Sequence, residues 1–370
     1  MRPRKCLYSV LVEAMIVGSL VAGCSGPVLV AGTPGPAGTP SPQAPAADDI
    51  QGAGGTLAAP LYAQWIKDYS AAAGVGISYQ AVGSGNGIMQ ITAHVTDFGG
   101  SDAILTPQQL AAAPGLQMIP TVAGTVVIIY NLSGLGAKPT LLLDGATLSR
   151  IFLGQIHRWN DPALAALNSS SKLPDQDIVV VHRSDSSGTT FIFTDYLQAV
   201  SPAWRKSVGR TTSPTWPTGV GAKGSDGVLA RVLASPGSIG YIELSYALAN
   251  HTQSADMVNS AGARVEPSLA STQSAMSDFA LQMPETLATS IVNAPGAGSW
   301  PIAGYTYVLI YQDQSNCDKA ARMLAFFRWA LTAGSRTATD LGYGPLPDSV
   351  RARVFAKLDT ITCHGQPLAH

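Results

Sequence analysis

The chain has 370 residues, 12% of them charged and four of them cysteine, and 22 Lys and Arg nearly cancel 23 Asp and Glu. That balance excludes a general nucleic-acid binder, which needs clustered cations against phosphates, and a hydrophobic content of 46% excludes a disordered chain. Only the N-terminus carries an apolar run near the ~18 residues a membrane span needs, which excludes repeated spans.

In chain order the first feature is an address. Arg2, Arg4 and Lys5 precede a mostly apolar stretch that ends in Leu20-Val21-Ala22-Gly23-Cys24. A basic start, an apolar middle and small residues at the end read as a secretory signal over 1–23. Val21-Ala22-Gly23-Cys24 also resembles a bacterial lipobox, in which Cys24 would be lipidated and become the mature terminus. An uncleaved membrane anchor is the other reading, and Glu13 inside the apolar run sits badly with both. Residues 24–49 carry Pro27, Pro34, Pro36, Pro40, Pro42 and Pro45 among Gly, Ala, Ser and Thr. Such a stretch acts as a semi-extended spacer.

The body alternates helices and strands. Leu61, Trp65 and Tyr69 stand at helical spacing, which predicts a helix over 60–70. Val126–Tyr130 and Ile178–Val181 are short β-branched runs, as in strands buried on both faces. The pattern then predicts a helix over 226–234, strands over 238–242 and 305–311, and a helix over 318–333. Residues 251–300, rich in Ala, Ser and Thr, support no detailed assignment. The alternation argues for α/β layers. Of the four cysteines, Cys6 leaves with the signal and Cys24 takes the lipid. Cys317 and Cys363 remain, 46 residues apart. An even pair in an exported chain reads as a disulfide that pins the C-terminus; two free thiols are the alternative.

Three glycine–hydroxyl clusters stand directly before helical patterns. They are Gly52-Ala53-Gly54-Gly55-Thr56-Leu57, Gly83-Ser84-Gly85-Asn86-Gly87 and Arg183-Ser184-Asp185-Ser186-Ser187-Gly188-Thr189-Thr190. A helix N-terminus has unpaired N–H groups and a partial positive charge, so it attracts anions. Any one cluster could be an ordinary N-cap. Three, one of them with an Arg, point to an oxyanion site. Thr96-Asp97-Phe98-Gly99-Gly100-Ser101-Asp102 adds an acid. A carboxylate only accepts hydrogen bonds, so it can bond a P–OH and would repel a fully deprotonated oxyanion. Asp97 and Asp102 as plain turn residues are the bland reading.

With these motifs, Ile151-Phe152-Leu153-Gly154, Trp159-Asn160-Asp161-Pro162 and Gly342-Tyr343-Gly344-Pro345-Leu346-Pro347 complete a set. Over about residues 50–350 the chain closely resembles the phosphate-binding protein of the bacterial phosphate-specific ABC transporter. The resemblance implies phosphate held by the Thr56 side chain, the Leu57 backbone, Ser84, Asp102, Arg183, Ser187, Gly188 and Thr189, with Asp185 holding the arginine. Leu57 stands where the family more often has Phe, and Gly85 where it often has a second Ser, a change expected to matter little. The implied fold is α/β and two-lobed, of periplasmic-binding-protein type II, with the anion in the cleft. Lobe one would comprise 50–122 plus 303–370 and lobe two 123–302, with crossings near 121–125 and 299–304. The implied role is a lipid-anchored, monomeric receptor on the extracytoplasmic face that delivers inorganic phosphate to an ABC permease, with no cofactor and no metal.

Rival readings are a receptor for sulfate, molybdate or tungstate, a phosphate-ester hydrolase, and an adhesin that keeps only the fold. Gly99-Gly100-Ser101-Asp102-Ala103 lacks the last Gly of a hydrolase elbow. Gly219-Val220-Gly221-Ala222-Lys223-Gly224 lacks Walker A spacing. No catalytic residues are therefore expected. His182, Trp159 and Trp204 read as packing residues, and Arg150 and Arg158 as solvated charges.

Overall fold

The computed structural model describes residues 49–133 and 140–368. The predicted signal, Cys24 and nearly all of the tether lie outside the described residues. No described helix is long and apolar enough to cross a membrane.

In chain order the strands are β1 (Ile50–Gly54), β2 (Ile77–Ala81), β3 (Phe98–Ser101), β4 (Leu116–Tyr130), β5 (Leu142–Asp144), β6 (Val179–Arg183), β7 (Val220–Ala222), β8 (Ser238–Glu243), β9 (Asp256–Val258), β10 (Arg264–Val265), β11 (Ala303–Tyr311), β12 (Asp313–Gln314), β13 (Gly344–Pro345), β14 (Thr362–Cys363) and β15 (Gln366–Pro367). The main sheet runs β2-β1-β3-β11-β4-β8-β6-β7, with β13 added to β4. β1, β2 and β3 are parallel to one another, and so are β6, β7 and β8.

β4 joins the two parallel groups. Residues 116–125 pair with β11, and residues 126–130 pair with β8. The return passage lies beside the switch. Val126 N donates to Ile302 O at 2.9 Å, and the buried Trp300 donates from Nε1 to Val126 O at 2.9 Å. The sequence pattern caught only 126–130 of this strand. Its first half carries Pro120 and Gly124, which break a β-branched run. All of β4 except Gln117 is nonetheless buried.

The predicted helices appear at Ala59–Ala73, Gly224–Ala234 and Cys317–Ala330. The first buries Leu61 and Trp65 and leaves Tyr69 half-buried against Phe326 and Trp329. The third buries Leu324 and Phe327 but stops at Ala330, short of 333. Residues 251–300 contain β9, β10 and a helix at Leu269–Ala280 whose capping box is built by Ser268 and Ser271. That serine-rich composition, uninformative as a pattern, makes caps. Trp159 and Trp204 are fully buried. Arg158 is half-exposed between Asp175 and Asp177.

Cys317 and Cys363 form a disulfide with a Cα–Cα separation of 5.5 Å. It ties the start of a helix to the small β12-β14-β15 sheet.

Candidate anion site

Five strands end at one place. The carboxyl ends of β1, β2 and β3 lead into Gly55-Thr56, Gly83-Ser84 and Asp102. The carboxyl end of β6 is Arg183, and that of β8 is Glu243. Parallel strands point their carboxyl ends the same way, so the following loops gather at one edge, where open α/β sheets bind ligands.

Arg183 is the centre. Its side chain is 1% exposed. Nε donates to Asp185 Oδ1 at 2.8 Å and Nη2 to Asp185 Oδ2 at 2.5 Å. This fork fixes the guanidinium plane. Nη1 is left to face hydroxyls: Thr56 Oγ1 at 3.0 Å, Ser225 Oγ at 3.1 Å and Thr189 Oγ1 at 3.4 Å. Burial works against the charged guanidinium, but the bonds to Asp185 and the charges of Glu243 and Asp185 outweigh it, so it stays firmly protonated. Burial likewise opposes the Asp185 charge, and Arg183 reverses that and holds the carboxyl below its usual range. Asp185 Oδ1 also accepts from Gly224 N at 2.9 Å. It thereby joins the arginine to the start of the 224–234 helix.

Asp102 is buried, 2% exposed. Its Oδ1 accepts from Thr306 Oγ1 at 2.6 Å, and Ser84 Oγ stands 3.4 Å from Oδ2. Asp102 N donates to Ser84 Oγ at 3.1 Å. Burial pushes this carboxyl up to about 7, helped by the Glu243 charge and opposed by Thr306, Arg183 and Ser84.

The third loop closes over the first two. A Cβ on Gly188 would stand 2.3 Å from Ser84 Oγ and 2.4 Å from Asp102 Oδ2, so only glycine fits there. Gly85 N donates to Ser186 O at 3.1 Å, and a Cβ on Gly85 would lie 2.0 Å from Ser186 Oγ. The expectation that Gly85 matters little is corrected here: the family's serine would strike Ser186 in this arrangement. Helix starts converge on the site at Ala59, Ser84, Gly188 and Gly224. Only the Gly188 helix has a side-chain cap, Ser187 Oγ accepting from Thr190 N at 3.1 Å. The N-cap reading therefore holds for Ser187 and fails for the other two predicted clusters.

The structure brings Thr56, Ser84, Asp102, Arg183, Asp185, Gly188 and Thr189 together at this edge. Leu57 turns its side chain into the core beneath Gly124, and its carbonyl accepts from Tyr343 OH at 2.7 Å. Asp97 serves the scaffold, accepting from Gln51 N at 2.7 Å and from Lys319 Nζ at 3.1 Å. His182 stacks on Trp216 with ring centroids 4.5 Å apart. Ser225, Glu243 and Thr306 belong to the site and were missed. Gly224-Ser225 is a fourth glycine–hydroxyl pair before a helix, so its signal was legible. Glu243 ends one apolar strand and Thr306 sits inside another, where no local pattern marks them.

The arrangement is the two-lobed α/β fold of the periplasmic binding proteins, type II. The sequence profile described as the PBP superfamily domain matches residues 39–333. The phosphate-binding protein PstS of Xylella fastidiosa is 42% identical over 307 residues, covering 83% of this chain and 84% of that protein. The protein of the same name from Pasteurella multocida is 40% identical over 314 residues, covering 85% and 91%. A solved structure of the high-affinity periplasmic phosphate-binding protein PfluDING, bound with phosphate, matches with a TM-score of 0.68 at 25% identity, over 83% of this chain and 93% of that one. The chain belongs to the PBP superfamily and, within it, to the PstS family of phosphate-binding proteins.

Proposed function

We propose that this protein is an extracytoplasmic receptor that binds inorganic phosphate at the Arg183–Asp102 site and delivers it to an ABC permease. One observation carries the reading: a buried, oriented arginine and a buried carboxyl lie at one sheet edge among uncapped helix starts. Arg183 and backbone N–H groups supply donors to an oxyanion, with hydroxyls from Thr56, Ser84 and Ser187 beside them. Leu57 contributes its N–H, and Gly188 and Thr189 present theirs at a helix start. Asp102 accepts the proton that phosphate keeps and sulfate lacks. Lobe one comprises 50–122 and 303–370, lobe two 123–302, and β4 and the approach to β11 form the hinge. Ligand bridges the lobes and favours the closed state. Cys24 is the lipidated terminus, and 24–49 tether the monomeric body to the membrane face. The protein is not an enzyme.

Titration calorimetry at about pH 8 should show tight phosphate binding and little sulfate binding; equal affinities would sink the role given to Asp102. Arg183→Ala should weaken phosphate binding by at least ~2 kcal/mol, because a buried charged partner is lost. Near-normal affinity in that variant places the site elsewhere. Mass spectrometry of membrane-extracted protein should find a diacylglycerol-modified chain starting at Cys24; an intact Met1 terminus refutes the anchor.

A further inference from the structure

Asp102 has two carboxyl oxygens, and the fold gives them different neighbours. Thr306 lies within β11 and is 2% exposed. β11 pairs antiparallel with β3 at Tyr307–Ser101 and Val308–Gly100. One residue further, that register sets Thr306 across from Asp102. The register with β4 shifts at the same point, where Thr121 is passed over; such irregularities re-aim side chains beside functional sites. The Thr121 hydroxyl stands 3.4 Å from Thr306 O and 3.0 Å from Tyr62 OH. Thr306 is thus held from the β4 side while its side chain meets Asp102.

The carboxyl is used unevenly. Thr306 Oγ1 donates to Asp102 Oδ1 at 2.6 Å. Oδ2 has Ser84 Oγ at 3.4 Å, a long contact. A Cβ on Gly55 would stand 2.7 Å from Oδ2, and one on Gly188 would stand 2.4 Å from it. Oδ2 therefore faces the backbones of the first and third loops, and Oδ1 faces the scaffold. The hydroxyl has one hydrogen. Given to Oδ1, it favours the ionised form of the carboxyl, which can only accept. Of the groups that oppose the effect of burial on Asp102, Thr306 is the strongest, ahead of Arg183 and Ser84, while Glu243 acts the other way. Tyr62, Tyr79 and Tyr343 also feel the Asp102 charge, and burial keeps all three phenols protonated.

We propose that Thr306 is a positioning residue for anion selection: its hydroxyl occupies Asp102 Oδ1 and leaves Oδ2, as a bare acceptor, turned to the P–OH of the ligand. Thr306 touches no ligand itself and acts through Asp102. The inference rests on the receptor reading given above, and it names what keeps the carboxyl in the form that reads a proton.

The test compares wild type, Thr306→Val and Thr306→Ser by titration calorimetry with phosphate and with sulfate from about pH 6 to about pH 9. Circular dichroism melting of each checks the fold. The Val variant keeps the shape and loses the donor, so Asp102 should hold its proton to higher pH. A protonated Asp102 can donate to sulfate. A hydrogen bond to a carboxylate moves its titration by about one pH unit or more. At about pH 9 the phosphate-to-sulfate affinity ratio of Thr306→Val should therefore fall about tenfold, and the pH at which selectivity is lost should move up by about one unit. Thr306→Ser keeps the hydroxyl and should restore both. In an Asp102→Asn background, Thr306→Val should leave the ratio unchanged, because the residue acts through that carboxyl. A folded Thr306→Val protein with the wild-type ratio and pH profile overturns the proposal alone. Equal weakening of both anions with an unmoved pH profile also overturns it, since a merely structural role predicts that. So does Thr306→Ser behaving like Thr306→Val, or a change of ratio in the Asp102→Asn background. Wild-type protein that binds neither anion overturns the receptor reading, and this proposal with it. If Thr306→Val does not fold, Thr306→Ala is read in its place with the same expectations.

Discussion

Asp102 links the stability of the fold to the selectivity proposed for the site. Burial raises its carboxyl to about 7, so the fold prefers the protonated form. The stabilisation is complete below the ordinary carboxylate range near ~4 and is lost as pH rises through about 7. Ligand-free Asp102→Asn should therefore melt higher than wild type at about pH 8 and close to wild type at about pH 4, where both side chains are neutral. A lower melting temperature at about pH 8 contradicts the assignment. The same titration bears on the ligand. A protonated carboxyl donates a hydrogen bond, so it tolerates sulfate. Phosphate-over-sulfate selectivity should shrink as pH falls below about 7, and a pH-independent ratio from calorimetry counts against Asp102 as the reader. Asp102, Arg183 and Thr56 were legible in the sequence because glycine and hydroxyl neighbours marked them. Glu243 was not, because Tyr241-Ile242-Glu243-Leu244 reads locally as the end of an apolar strand.

At the scale of elements, the site depends on how closely loops approach. Gly188 starts a helix and stands against Ser84 and Asp102, with no room for a methyl group. Gly188→Ala should leave the helix intact and weaken phosphate binding roughly tenfold or more, because overpacking costs ~1–3 kcal/mol. Wild-type affinity in a folded Gly188→Ala protein means that the loops do not close as described. The disulfide acts far from this edge. It joins the 317–330 helix to β14 across 46 residues. Cys363→Ser should lower unfolding stability by up to about 4 kcal/mol on the loop-entropy account, measured by denaturant titration, with phosphate affinity retained. The bond was readable by counting: if Cys6 leaves with a signal and Cys24 takes a lipid, one pair remains. The length of β4 was not readable. Gly124 and Thr125 become strand because β11 pairs with them, and β13 pairs with the neighbouring Val122 and Ala123.

At the scale of the molecule, β4 is shared by two parallel groups and changes partner between Thr125 and Val126. Thr125 also contacts Thr272 through paired hydroxyls, and Trp300 holds Val126. These bonds place both chain passages side by side, which is what a hinge needs. Phosphate should lower the radius of gyration measured by small-angle scattering; an unchanged value speaks against closure around the ligand.

The sequence by itself determined the local chemistry: which strand ends carry glycine and hydroxyl donors, which arginine has an acid two residues on, and which cysteines are left to pair. Those follow from residue type and short spacing, so they are written in the chain. The tertiary structure alone decided the low charge content's meaning. One arginine and three carboxylates meet there from β3, β6, the loop after β6 and β8. Thr56 comes from a loop, and Thr189 and Ser225 from two helix starts, to surround the guanidinium. Residues as far apart as Thr56 and Ser225, 169 positions, share a site only because parallel strands end at one edge. Burial there, and not composition, sets whether Asp102 holds its proton.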